Sequence, residues 1–186
     1  MDLWVVRHGQ TEWSRDLKHT STTDVPLTDV GERQAKALAS VLSDREFGRV
    51  LCSPLRRAVD TAHLAGFEDP ERTDLLIEFS YGDYEGRTTK EIREERPDWN
   101  LWRDGCPGGE TPDEVGKRCD RLLETIGEPD EDVLLVAHNH VLRVLTARYL
   151  GLPPEDGALW TLDTAGIGVL GHERERRVLR RWNVGE

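Results

Sequence analysis

Val133-Leu134-Leu135-Val136-Ala137-His138-Asn139-His140 is the stretch on which the fold turns. Five apolar residues in unbroken succession do not alternate between two environments, so the strand they predict is buried on both faces, as in a parallel sheet covered by helices. The run stops at three polar residues. A helical pattern follows to Leu150, with Gly151 as its stop and Pro153-Pro154 beyond. Working outward, the same succession recurs twice. Leu3-Trp4-Val5-Val6 ends at Arg7-His8-Gly9, and Thr28 is an N-cap for a helix through residue 43 with Ala35, Leu38, Ala39 and Leu42 on one stripe. Val50-Leu51-Cys52 leads into Ser53 as N-cap and Pro54 as first helical residue, which places Arg56 and Arg57 in the first turn. Thr88 with Glu91 and Thr111 with Glu114 have capping-box spacing; the first helix stops before Pro97, and the second buries Val115, Cys119, Leu122, Leu123 and Ile126. Strand-like pieces at 159–162, 167–170 and 178–182 extend the sheet. The expectation is a single domain over residues 1–186, a three-layer α/β/α fold with a mostly parallel central sheet.

In such sheets ligands bind beyond the carboxyl ends of the strands, where Arg7-His8, Arg56-Arg57 and His138 converge. Arg57 near a helix N-terminus is disfavoured by the helix dipole, yet the free N–H groups there and the guanidinium together suit an anion. An imidazole can attack phosphorus and pass the group to water, provided cations such as Arg7 and Arg57 neutralise the equatorial oxygens. The leaving alkoxide needs a proton. Glu78 follows Leu75-Leu76-Ile77 and precedes the turn-rich Gly82-Asp83-Tyr84-Glu85-Gly86, which puts it at a further strand end as the acid.

The remaining composition narrows the alternatives. With 25 Lys and Arg against 36 Asp and Glu, the formal net charge of −11 opposes long-range attraction to nucleic acid or to an anionic membrane. No apolar run approaches the roughly 20 residues of a membrane span, and Met1-Asp2 enters a strand with no signal-peptide layout, so a cytoplasmic protein is expected. The 3 cysteines, Cys52, Cys106 and Cys119, form no C-x-x-C and suggest reduced thiols. Four residues separate Cys52 from Arg57, one too few for a cysteine-phosphatase loop. His138-x-His140 is a possible metal pair, but no further His or Asp run completes a set, so no metal or cofactor is expected. Trp99 and Trp102 share a helix spacing and read as packing. The arginines of 174–181 read as an exposed strand, and His19, His63 and His172 have no supporting context.

Arg7-His8-Gly9-Gln10-Thr11-Glu12-Trp13 resembles the opening motif of the histidine phosphatase superfamily, which includes the phosphoglycerate mutases. Leu27-Thr28 to Gly31-Glu32 is similar to its L-T-x-x-G-x-x-Q-A segment. Ser53-Pro54-Leu55-Arg56-Arg57-Ala58 resembles its S-P-L-x-R-A, Glu78 with Gly82 and Glu85-Gly86 its E-x-x-x-G-x-x-E-G, and Val136-Ala137-His138 its second-histidine strand. The resemblance implies a phosphorylated His8, phosphoryl binding by Arg7, Arg57 and His138, proton donation by Glu78, and further polar contacts from Ser14 and Ser21. It implies a small-phosphatase branch acting on sugar phosphates or related phosphorylated metabolites and releasing inorganic phosphate, with the segment 99–111 agreeing. Asn139 stands where the family has Gly. Mutase-type phosphoryl transfer and a non-catalytic phospholigand module are the rivals. A mutase must shield its phosphoenzyme from water, and the modest excursion from 86 to 111 and the few residues after Trp182 favour water as the acceptor.

Overall fold

The computed structural model of the chain describes residues 1–184, and the last two positions of the 1–186 span lie outside the described residues. Six strands, β1 (Leu3–Arg7), β2 (Arg49–Cys52), β3 (Glu71–Arg72), β4 (Val133–Ala137), β5 (Ile167–Glu173) and β6 (Arg176–Val184), form one sheet in the order β3-β2-β4-β1-β5-β6. The pairs β3-β2, β2-β4 and β4-β1 are parallel, whereas β1-β5 and β5-β6 are antiparallel. The helices are α1 (Glu12–Arg15), α2 (Asp29–Leu42), α3 (Arg56–Leu64), α4 (Thr89–Glu95), α5 (Leu101–Asp104), α6 (Pro112–Ile126) and α7 (Asn139–Tyr149).

Side chains alternate across each strand, so the apolar runs serve two cores at once. Leu3 and Val5 of β1, with Val133 and Leu135 of β4, pack against Val115, Cys119 and Leu122 of α6 and Val141, Leu142 and Leu145 of α7. Trp4, Val6, Leu134 and Val136 face Leu38 and Leu42 of α2 and Ala58, Val59 and Ala62 of α3 on the other side. This is why the deciding stretch reads as continuously apolar. In register, Arg7 pairs with Ala137 and Cys52 with Val136, so β1 and β4 end level with one another and β2 one residue short of them. His8, Ser53 and His138 are each the next residue.

Both capping boxes form as spaced, at Thr88 with Glu91 and at Thr111 with Glu114, and α4 ends ahead of Pro97. Four local expectations are corrected. The piece 159–162 is not a strand, because Pro153 and Pro154 start a 3-10 turn over Pro154–Leu159 and the chain then loops towards β5 with Leu159 exposed. The run 75–77 is not a strand either: Thr73 caps Leu75 N–H and starts a 3-10 turn, Asp74–Leu76. Helix α3 begins at Arg56 with Leu55 as N-cap, because the Ser53 hydroxyl is engaged by His138 and meets only Leu55 N–H at 3.4 Å. Trp99 precedes α5 instead of sharing a helix with Trp102, and its indole N–H bonds Gly105 O.

Candidate active site

At the level ends of β1 and β4 lies a cavity of about 800 Å³ whose lining includes Arg7, His8, Ser14, His19, Glu78, Tyr81, Asn139 and His140. His8 is tied to β4 by its own backbone, N–H to Ala137 O at 2.9 Å. Its Nδ1 lies 2.7 Å from Gly9 O. A carbonyl only accepts, so the ring proton sits on Nδ1 and the Nε2 lone pair is free. Burial, then Arg57 and Arg7, hold the imidazole well below its ordinary pKa, which keeps that lone pair unprotonated at neutral pH. The backbone turn around His8 requires two glycines. A Cβ on Gly9 would meet Gly31 O at 2.4 Å, and one on Gly31 would meet Gln10 O at 2.1 Å, so the first motif and the L-T-x-x-G motif pack backbone on backbone.

Arg7 reaches Leu162 O through Nη1 at 2.6 Å, while its buried Nε–H has no partner among the described residues. An unpaired buried donor of this kind costs free energy, and Arg7 meets the cavity through the rest of its guanidinium. Arg57 and His138 are fully buried behind His8. Arg57 gives Nε–H to His138 Nδ1 at 3.2 Å, and its other donors go to the carbonyls of Thr23 at 3.0 Å and Ser21 at 2.9 Å. His138 therefore accepts on Nδ1 and donates from Nε2 to Ser53 Oγ at 2.7 Å. The Arg57 charge bears on His8, and the ring centroids of the two histidines are 5.1 Å apart. Asn139 begins α7 in helical backbone, so the position does not depend on a glycine's conformational range.

Glu78 is placed by tertiary contacts. Its carboxylate accepts from His140 N–H at 3.0 Å and Val141 N–H at 2.8 Å, which makes it the N-terminal cap of α7 supplied from a distant loop, and from Phe79 N–H at 2.8 Å. The loop is held in turn by Arg118, which donates to Ile77 O at 2.6 Å and pairs with Glu110 at 2.9 Å. Glu85, the second acid of its motif, clamps Ser21 N–H at 2.8 Å and Thr23 N–H at 3.1 Å, so residues 21–23 can present their carbonyls to Arg57. Ser14 lines the cavity with its hydroxyl engaged by Thr11. Ser21 is buried outside the lining, its hydroxyl 3.4 Å from Glu78 O.

Sequence reasoning passed over Arg118, Thr61, Glu85, His19 and Tyr81, and treated His140 only as half of a metal pair. Thr61 Oγ1 accepts Gly9 N–H at 3.0 Å. His19 stacks on Tyr81 with centroids 4.7 Å apart and faces His140 at 6.3 Å. Only the E-x-x-x-G-x-x-E-G spacing carried a signal for one of them, Glu85. Burial pushes the Cys52 thiol up to about 12, which keeps it from being a nucleophile. Among the described residues no three His, Cys, Asp or Glu side chains gather as metal ligands, and no helix is long and apolar enough to cross a membrane.

Arg7, His8 and Glu78 thus line one cavity at the strand ends of a mixed sheet. The model of the histidine phosphatase superfamily (branch 1) matches residues 3–185. An acid phosphatase of Mycobacterium tuberculosis is 43% identical over 95% of this chain and 89% of its own length. Sedoheptulose 1,7-bisphosphatase of Saccharomyces cerevisiae is 37% identical over 80% of this chain and 67% of its own. The solved structure of an open reading frame from Mycobacterium tuberculosis superposes with a TM-score of 0.95 at 40% identity, covering 99% of this chain and 97% of that one. The chain belongs to the histidine phosphatase superfamily. Within it, the chain is a phosphatase, as are its named relatives.

The buried histidines make stability depend on pH. His8, His138 and His140 are held well below the ordinary imidazole pKa and His19 is lowered to about 4, in each case first by burial. Below pH 6.5 the unfolded chain binds protons that the folded chain refuses. Their contribution is therefore complete above 6.5 and is lost as pH falls, by about 1.4 kcal/mol per pH unit for each histidine that stays neutral. Urea unfolding of ligand-free protein is expected to show a clearly lower midpoint at pH 5.5 than at pH 7.5. Equal midpoints would mean that these rings are not held neutral.

Proposed function

We propose that this enzyme hydrolyses phosphomonoesters of sugars or related small metabolites through a phosphohistidine on His8, without a metal ion, in the cytoplasm. The observation that carries the reading is the His8 tautomer: Nδ1–H is committed to Gly9 O, so Nε2 keeps a free lone pair for attack, with Arg7 on the same cavity lining. In the first step the Nε2–P bond forms as the P–O ester bond breaks, and the Glu78 carboxyl gives its proton to the departing oxygen, releasing the alcohol. In the second, water attacks phosphorus and yields a proton to Glu78. The P–N bond then breaks, and inorganic phosphate leaves with His8 restored. Arg7 binds the phosphoryl oxygens directly. Arg57 and His138 stabilise the charge from behind His8, and Ser14 adds a polar contact on the wall. Ser21 acts through the loop that positions Arg57.

Labelled substrate, quenched without acid, should trap an acid-labile phosphoenzyme, and turnover should be unaffected by EDTA. The mutase alternative is tested by supplying 3-phosphoglycerate with and without 2,3-bisphosphoglycerate. Phosphate release is expected to outpace formation of 2-phosphoglycerate; the opposite order would reassign the enzyme to phosphoryl transfer.

A further inference from the structure

His140 is the second residue of α7 and lines the cavity with 17% of its side chain exposed. Its Nδ1 lies 2.6 Å from the hydroxyl of Tyr81, which is itself 2% exposed and has no other hydrogen-bond partner among the described residues. The phenol keeps its proton, because burial and then Glu78 push its pKa well up. That single proton has only Nδ1 to go to, so Tyr81 donates and Nδ1 accepts. Protonation of both ring nitrogens is opposed by burial, then by Arg143, His19 and Arg7. Glu78 Oε2, the one carboxylate nearby, is 3.9 Å from Nδ1 and outside hydrogen-bond reach. The remaining ring proton therefore sits on Nε2. That atom has no protein partner among the described residues, and it is not one of the buried unpartnered atoms, so it faces open cavity. Trp102 and His19 flank the ring edge to face, with centroids at 5.3 Å and 6.3 Å, and hold its orientation.

Because the backbone N–H of the same residue binds Glu78 Oε2 at 3.0 Å, the imidazole stands on the Glu78 side of the cavity. Resting on the phosphatase reading above, we propose that His140 is a substrate-positioning residue: a neutral donor, locked by Tyr81, whose Nε2–H bonds a hydroxyl oxygen on the leaving side of a polyhydroxylated phosphomonoester. A neutral donor favours a hydroxyl over a second charged group, and the adjoining His19 and Tyr81 make this wall one of aromatic faces and neutral polar edges, suited to a sugar or polyol.

The test compares kcat/KM on a sugar phosphate with kcat/KM on p-nitrophenyl phosphate, whose leaving group carries no hydroxyl. His140→Phe keeps the ring's bulk and removes the donor. It is expected to lose about tenfold to a hundredfold on the sugar phosphate, with a loss at least about ten times smaller on p-nitrophenyl phosphate. His140→Gln, which carries an amide N–H at similar reach, should recover most of the difference. Nitrogen NMR of the wild-type ring should find Nε2 protonated and Nδ1 bare, and Tyr81→Phe should give a mixture of tautomers. Equal losses on both substrates, no loss on the sugar phosphate, or the reverse wild-type tautomer would overturn the proposal. Absence of wild-type turnover on both substrates overturns the phosphatase reading, and this one with it.

Discussion

His8→Ala is expected to abolish both phosphoenzyme trapping and turnover, with a fall in kcat of at least about 10⁴-fold, the scale seen when a covalent nucleophile is removed. The fold should survive. His8 is positioned by its backbone N–H to Ala137 O, which truncation leaves intact, and its side chain makes one hydrogen bond, to Gly9 O. The variant therefore separates chemistry from stability: its unfolding midpoint should stay near that of the wild type while label incorporation disappears. Full activity in His8→Ala would remove the phosphohistidine from the mechanism.

Glu78→Gln is expected to act unequally on two kinds of substrate. An alkyl phosphate releases an alkoxide that must be protonated, whereas p-nitrophenyl phosphate releases a phenolate stable without a proton. The comparison belongs in kcat/KM, which ends at phosphoenzyme formation and excludes the dephosphorylation step common to both. There the alkyl phosphate should lose about 10²- to 10⁴-fold, the range of general acid catalysis, and p-nitrophenyl phosphate far less. The carboxylate also caps α7 through His140 N–H and Val141 N–H. Gln keeps one acceptor oxygen, so an additional stability cost of about 1–3 kcal/mol is expected from the N–H left without its partner. Equal losses on both substrates would leave Glu78 as a cap alone.

Glu78 shows where sequence reading stops. Its motif was legible by resemblance, but its place was not, because the run Leu75-Leu76-Ile77 has strand-like composition and Thr73 turns it into a 3-10 segment through one side-chain hydrogen bond. What holds the loop is Arg118, from a helix 40 residues downstream of Glu78, paired with Glu110 just ahead of that helix. Ser53 has the composition of a helix cap, yet its hydroxyl serves His138, 85 positions away. His19 and His140 lacked context in the chain, since theirs is made by Tyr81, Trp99 and Trp102 arriving from other segments.

Hydrophobic pattern alone was sufficient for the parallel core of the sheet, its main helices and the convergence of His8, Arg57 and His138. Strands buried on both faces have no polar positions to blur the signal, and in-register parallel strands bring their last residues together whatever the loops do. Tertiary structure alone decided the tautomers of His8, His138 and His140, the burial of Arg57 and His138 next to His8, and the seat of Glu78. Each depends on a hydrogen-bond partner or on exclusion of water. Except for the Gly9 carbonyl beside His8 and the Phe79 N–H beside Glu78, both come from segments far apart in the chain, and no periodicity in one segment encodes what another will bring against it.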